Sequence, residues 1–380
     1  MRIFKKNYGM IAVFFTVLCA GLLLQGFLGM LGTENPYNTY ALQAARWIEG
    51  HLDLGQNYAH LEIAEYGGKF YASFPPFPSV FLLPFTIFFG TNTPDALISI
   101  FVAAAGAACA YSLARAYGQT EKNAIFWSLF VTIGSNFLTI FFEGWVWFFA
   151  QTLSFSLSMA ALLAAKCKRP TCAFLFWAFA VGCRPFQILY LPLLVLILHQ
   201  NGIKTKSLVR PFLPAAAVGI FYALLNVLRF GNPLEFGHNF LPEFQTQAQF
   251  SLSYIPYNLQ RLLRLPALVN GYLQFPEFDG FAFYLASPIF IVFLLLFFRR
   301  GRKKADFLVL FLCLLHLLLL AAHRTLGGWQ FGCRYTVDLL PFILFSIVSA
   351  SEKNAFPLLS RILCLGGLLL NTAGVLAIFG

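Results

Sequence analysis

The sequence predicts an all-α polytopic membrane protein of about eleven transmembrane helices, folded as one domain over residues 1–380. Three observations predict it. Hydrophobic residues make up 59% of the chain and charged ones 11%, where a soluble domain carries about 25% charged residues. The apolar stretches recur at roughly the twenty residues that a helix needs to cross a bilayer. The basic residues gather in the short connections of one side, which is the pattern that orients polytopic proteins.

The first span is read over residues 9–31. It is long, and no small-x-small cleavage site ends it, so it is taken as an anchor rather than a removed signal peptide. A large first outer loop follows over 32–94. Within it Ser79–Gly90 is apolar but short, with Pro84 inside, which suits a helix lying in the interface better than a span. Further spans are expected at 95–115, 124–141, 146–165, 171–183, 186–199, 211–228, 282–298, 306–322, 337–350 and 356–376. Arg184-Pro185 interrupts the run between 171 and 199 and is read as a tight turn at the outer surface. A second outer segment covers 229–281 and a third 323–336.

Charge tests this topology. With the N-terminus in the cytoplasm, eighteen of the 26 Lys and Arg residues fall inside. They include Arg2, Lys5, Lys6, Lys166, Lys168, Arg169, Lys204, Lys206, Arg299, Arg300, Arg302, Lys303, Lys304 and Lys353. The other eight, Arg46, Lys69, Arg184, Arg229, Arg261, Arg264, Arg324 and Arg334, fall outside. Of the acids, only Glu121, Asp306 and Glu352 are inside. The net charge of +11 is therefore a topology signal and not a nucleic-acid footprint. The expected location is the inner (plasma) membrane, with the functional side facing outward. The eight cysteines show no paired metal motif or disulfide framework and read as small core residues.

The loops hold the chemistry. No other segment holds as much ionisable chemistry as residues 33–78, and a polar loop of that length between apolar spans is usually functional. Glu34 stands just beyond the first span, where a fixed carboxylate suits a general base acting on an acceptor hydroxyl. Asp53 and Glu62 are rivals for the same role. Lys69 follows a Gly-Gly turn and precedes the aromatic-proline run Phe70 to Pro78, a cation at the mouth of an apolar groove that suits a lipid-linked phosphate. Glu143, in Glu-Gly-Trp-Val-Trp, is placed to orient a substrate hydroxyl or to pair with Arg184. Arg184 is an isolated cation among apolar residues and needs an anionic partner. In the stretch from His323 to Tyr335, glycines permit close backbone approach. Trp329 offers a stacking face there, and Arg334 a fork for phosphate oxygens. The histidines fit no metal-ligand spacing, and no nucleophile elbow or Walker-type loop occurs.

Taken together, several motifs resemble the bacterial multi-spanning glycosyltransferases of the GT-C superfamily, distantly similar to protein O-mannosyltransferases and lipid A aminoarabinose transferases. They are Asn35-Pro-Tyr-Asn, Glu49-Gly-His-Leu-Asp-Leu54, Tyr66-Gly-Gly-Lys-Phe-Tyr leading to Phe-Pro-Pro-Phe-Pro78, and Arg184-Pro185. The series continues with Arg229-Phe-Gly-Asn-Pro and Gly327-Gly-Trp-Gln-Phe-Gly-Cys-Arg334-Tyr. The resemblance implies a GT-C-like fold and a sugar donor on a polyprenyl phosphate, with transfer by inversion to a lipid, glycan or protein acceptor. It points to Glu34 as the base, although many relatives carry Asp there, so Asp53 and Glu62 stay open. It places Lys69, Arg184 and Arg334 at the donor phosphate. The candidates for contact with the sugar or acceptor are Trp329, Tyr335, Glu143, Tyr37 and Asn38. No cofactor is implied with certainty, though a loop carboxylate and the donor phosphate together suit a divalent cation. The rival readings are a transporter or flippase for a lipid-linked or anionic substrate, and a non-catalytic scaffold. A transporter calls for paired charges at the membrane midplane and an inverted repeat, and neither is visible.

Overall fold

A computed structural model describes residues 8–276, 278–298, 303–350 and 357–380. The expected inner-side charges Arg2, Lys5, Lys6, Arg299, Arg300, Arg302, Glu352 and Lys353 lie outside the described residues.

Six helices among the described residues are long and apolar enough to cross a membrane: α1 (Tyr8–Phe27), α4 (Asp95–Ala116), α7 (Val146–Lys166), α10 (Val209–Phe230), α15 (Lys304–Ala322) and α17 (Pro357–Phe379). The chain is an integral membrane protein. Between them lie α2 (Thr39–Ile48), α3 (Phe77–Phe89), α5 (Glu121–Thr132), α6 (Leu138–Phe141), α8 (Pro170–Val181) and α9 (Leu191–Gln200). Later come α11 (Pro242–Gln245), α12 (Ile255–Leu263), α13 (Phe283–Ala286), α14 (Ile289–Phe297) and α16 (Leu340–Ser349).

The remaining expected spans are thus shorter than the sequence suggests, and local chemistry says why. The run 124–141 breaks after α5, where Gly134-Ser135-Asn136 turns the chain and the Asn136 amide donates locally to the Thr139 hydroxyl and across the fold to the Phe331 carbonyl. The run 171–199 breaks at Gly182–Arg184, and Pro185 then opens a six-residue 3-10 turn to Tyr190. The run 337–350 likewise starts as a 3-10 turn, Arg334–Leu339, before Pro341 helps begin α16. Backbone of this kind is tolerated at membrane depth only where protein buries it or it lines a cavity.

Helix α7 is the axis. It buries 83% of its central eighteen residues, whereas α1 buries 28% and α10 and α17 bury 22% each. Small residues let its neighbours approach closely. Ala103, Ala104, Ala107 and Ala110 of α4 are buried, and a side chain at Gly106 would strike the Ser156 hydroxyl of α7. Gly9 and Gly21 of α1 sit in the same way under Tyr111 and Ile100 of α4.

One end of this bundle collects positive charge. Lys166 at the end of α7 lies over the Tyr117 ring, 4.2 Å away, beyond α4. The Asn201 amide reaches Ala165 O, Gln119 donates to Val348 O and the Lys303 ammonium to Ser349 O. The opposite end holds the loops.

Two small hairpins are present that an all-α reading did not anticipate. Strands β1 (Ile63–Tyr66) and β2 (Lys69–Ala72) pair antiparallel with Ile63 opposite Ala72. Gly67 and Gly68 close them with φ +59° and +72°, the left-handed values a two-residue hairpin turn requires. Strands β3 (Ala267–Val269) and β4 (Tyr272–Gln274) form the second.

Candidate active site

At the loop end, opposite the basic end and roughly 30 Å along α7 from Lys166 at 1.5 Å per residue, lies a cavity of about 560 Å³. It is walled by the start of α7, the break before Pro185, the far end of α15 and the Gly327–Asp338 segment. The loop after α10 and the residues flanking the first hairpin complete it.

The hairpin delivers Glu62. This residue directly precedes β1, and the Ser73 hydroxyl just after β2 donates to its backbone carbonyl at 2.8 Å. The Trp147 indole N–H of α7 then donates to Glu62 Oε1 at 3.1 Å. Burial raises the Glu62 carboxyl above the usual range, while the Trp147 bond and the Arg334 charge pull it back. No cation lies within ion-pair distance of it among the described residues.

The two half-helix breaks deliver the cations. Arg184 Nε donates to Asp338 Oδ2 at 2.8 Å, joining the first 3-10 turn to the second. Gln187 strengthens the joint by donating to Asp338 O at 3.1 Å. Arg334 is 4% exposed, and among the described residues no carboxylate lies within ion-pair distance of it. It is held by neutral acceptors: Nη2 and Nε donate to Gly327 O at 2.9 and 3.3 Å, and Nη1 to Gln151 Oε1 at 3.4 Å. Both guanidinium groups lie over the Tyr335 ring, 4.8 Å and 4.7 Å from its centre, a cation–π arrangement that holds two like charges near one another. Burial, with Arg184 adding to it, lowers the Arg334 pKa from its ordinary value. His238 and His323 also line the cavity. Burial pushes His238 down to about 4 and His323 below its usual value, so both are neutral near pH 7.

Of the residues singled out from sequence, Glu62, Arg184, Arg334 and Tyr335 are brought together here. Glu34 is exposed at the end of the turn after α1 and does not line the cavity. Asp53 accepts from Gly55 N at 2.9 Å and faces Arg46 at 3.9 Å and Lys69 at 3.8 Å. Lys69, on the outer strand, has a side chain 61% exposed, and neither it nor Asp53 lines the cavity. Glu143 is buried, but Arg184 pairs with Asp338 instead of with it. Burial and then the nearby Asp95 carboxyl raise Glu143 to about 8. Asn35 donates to Asp95 and to Gly144 O, so this cluster fastens the first loop to α4 and α7. Tyr37 packs against Trp145 and Trp147, the Asn38 amide donates to Thr91 O, and Trp329 stacks on Trp145.

Sequence reasoning missed Asp338 and Tyr40. Asp338 carried a signal, being an acid at the head of an apolar run. Tyr40, buried in the cavity wall on α2, carried none. Replacing Asp338 by Ala should strip Arg184 of its counter-charge, and breaking a buried pair from one side costs about 3–5 kcal/mol. A large drop in the thermal midpoint of the detergent-purified protein is expected, smaller for Asp338→Asn.

Among the described residues no three His, Cys, Asp or Glu side chains converge on one point. Asp338 is engaged by Arg184, and Glu235 by Gly237 N and the Asn239 amide.

No protein-family model matches the sequence, and no curated protein matches it. The fold is nevertheless shared with solved structures. The chain matches the crystal structure of ArnT from Cupriavidus metallidurans bound to undecaprenyl phosphate with a TM-score of 0.54 at 14% identity, over 89% of this chain and 59% of that one. It matches the apo oligosaccharyltransferase of Archaeoglobus fulgidus with a TM-score of 0.51 at 12% identity, over 99% of this chain and 56% of the other. The same enzyme tethered to an acceptor peptide gives 0.51 at 13%. The architecture of this chain is thus shared with both of these neighbours. The chain spans a little over half the length of these neighbours.

Proposed function

We propose that the protein is a membrane-embedded glycosyltransferase of hexosyltransferase type that takes its sugar from a polyprenyl-phosphate donor. One observation carries the reading: Arg334, a buried guanidinium, shares a cavity with Glu62, a half-buried carboxylate, and among the described residues neither is in an ion pair. A cavity so charged suits an anionic leaving group on one side and a proton acceptor on the other. The acceptor hydroxyl, from a lipid, a glycan or a protein, attacks the anomeric carbon on the face opposite the lipid phosphate. Glu62 takes the hydroxyl proton. The bond between the anomeric carbon and the phosphate oxygen breaks, and the phosphate leaves with the electron pair towards Arg334 and Arg184. Configuration inverts.

Glu62 is preferred to Glu34 and Asp53 because it alone of the three lines the cavity. Lys69 is left to the loop surface, where it faces Asp53. Segregation of Lys166, Lys303 and their neighbours at the far end supports an extracytoplasmic site in the inner membrane, with the N-terminus inside. The neighbour crystallised with undecaprenyl phosphate supports a polyprenyl donor. The test is turnover of a panel of polyprenyl-phosphate sugars by the protein in nanodiscs, with free polyprenyl phosphate followed by mass spectrometry. Release from at least one donor is expected. Tight donor binding with no release from any would sink the transferase and favour transport.

A further inference from the structure

The two hairpins on the loop side differ in a way that identifies their surroundings. The β1–β2 hairpin ends in Glu65, Tyr66 and Lys69, a charged tip suited to water. The β3–β4 hairpin lies in the twelve-residue stretch Leu-Pro-Ala-Leu-Val-Asn-Gly-Tyr-Leu-Gln-Phe-Pro, residues 265–276, without one charged side chain. Its apolar groups point outward: Leu265 is 60% exposed, Leu268 74%, Val269 43% and Leu273 57%. They are fixed there, because Asn270 and Gly271 close a tight turn at φ +52° and +82°. A rigid, uncharged, outward-facing apolar edge is an aggregation hazard in water.

Its position puts it beside lipid. Helix α12 leads into the hairpin and packs on the last turn of the spanning helix α15, with Leu262 against Ala321 and the Asn258 amide donating to Ala321 O and His323 O. Helix α15 exposes Phe307, Phe311, Leu314 and Leu318, at helical spacing along one side, as a lipid-facing stripe does. The base of the hairpin carries arginines. Arg261 forms an ion pair with Asp279, and the Arg264 guanidinium donates to Phe278 O at 2.9 Å and Gly280 O at 2.7 Å. The Leu268–Leu273 pair on the strands and the guanidinium groups at the base match the layering of the acyl and headgroup zones.

We propose that residues 265–276 insert into the leaflet on the cavity side as a monotopic anchor, with Leu265, Leu268, Val269 and Leu273 in contact with lipid acyl chains and Phe275 packed inward on Phe281 and Phe331. Phe278 and Asp279 line the cavity, so the arginine base ties one cavity wall to the membrane surface. Asp279 N donates to Gly328 O, and the adjacent Gly327 O receives Arg334. The anchor thus sets the height at which the cavity opens on the bilayer.

The experiment places p-benzoylphenylalanine, a photo-crosslinking side chain, at Leu268 or Leu273 in the full chain, reconstituted in phosphatidylcholine–phosphatidylglycerol nanodiscs. Intact-protein mass spectra are read after irradiation. Leu369, exposed on α17, serves as the lipid-facing control and Glu65 as the water-facing one. The expected result is a one-phospholipid adduct at 268, 273 and 369 and none at 65. Adducts at 369 without any at 268 or 273 would overturn the proposal. So would capture of a protein instead of lipid at 268 and 273 in native membranes, since that makes the edge a protein-docking surface. Adduct formation needs no turnover, so the outcome is independent of the proposed transferase activity.

Discussion

Glu62→Gln should lower transfer by about a hundred- to ten-thousand-fold, the contribution typical of a positioned general base, while donor binding persists. The amide keeps the shape and can still accept from the Trp147 indole, whose bond to Glu62 is 3.1 Å, but it cannot take up the acceptor proton. Glu34→Gln and Asp53→Asn should stay near wild type, because neither residue lines the cavity. Full activity in Glu62→Gln, with loss in either of the others, would move the base to that residue. The pH profile supplies a second test. Burial raises the Glu62 pKa, so the acid limb of kcat/KM should fall above the ordinary glutamate value of about 4.3, with activity lost as pH drops through it. Stability moves the other way. The folded state holds this proton more tightly than the unfolded one, so folding loses stability as pH rises from the unfolded pKa through the folded one. Glu62→Gln should therefore raise the thermal midpoint at neutral pH and bring no gain in acid.

Arg334→Met should cut turnover sharply through the donor side. Removing a preorganised group that stabilises developing negative charge costs roughly a hundred- to a thousandfold in kcat, and here affinity for sugar-free polyprenyl phosphate should fall as well. Arg334→Lys is the sharper variant. It keeps the charge, but an ammonium cannot reproduce a planar fork that holds Gly327 O through two nitrogens while facing the cavity. Activity well below wild type is expected, with a near-normal melting profile. Wild-type binding of polyprenyl phosphate by Arg334→Lys and Arg334→Met alike would remove Arg334 from the phosphate site.

Much of the scaffold was legible because composition decides it. A run such as 146–165, apolar and free of acids, has few alternatives in a membrane. The breaks were less legible: Pro185 announced one, but the 3-10 turn Arg334–Leu339 straddles what reads as the end of an outer loop and the start of a plain helix, and Gln151 donating to the Arg334 carbonyl marks it only in space. The first hairpin had a local signal, two alternating tetrapeptides around Gly67-Gly68, which the surrounding helical pattern hid. The site itself was half legible. Loop carboxylates can be found by eye, yet Glu62 and Asp53 lie nine positions apart and separate only in space, one against Trp147 and the other beside Arg46 and Lys69. The Arg184–Asp338 pair joins residues 154 positions apart, and no local pattern encodes that distance.

The two broken helices have one further electrostatic effect. The helical segments opened by Pro185 and Arg334, together with α7, all begin at the cavity wall and run towards the basic end. Each helix carries the equivalent of about half a positive charge at its start, from backbone dipoles that add along the axis. Three such starts surround the same space. The peptide backbone thus biases the chamber towards anions before any side chain is counted, and this field does not titrate. Variants stripped of one arginine should accordingly keep a weak, pH-insensitive preference for phosphate over neutral lipids.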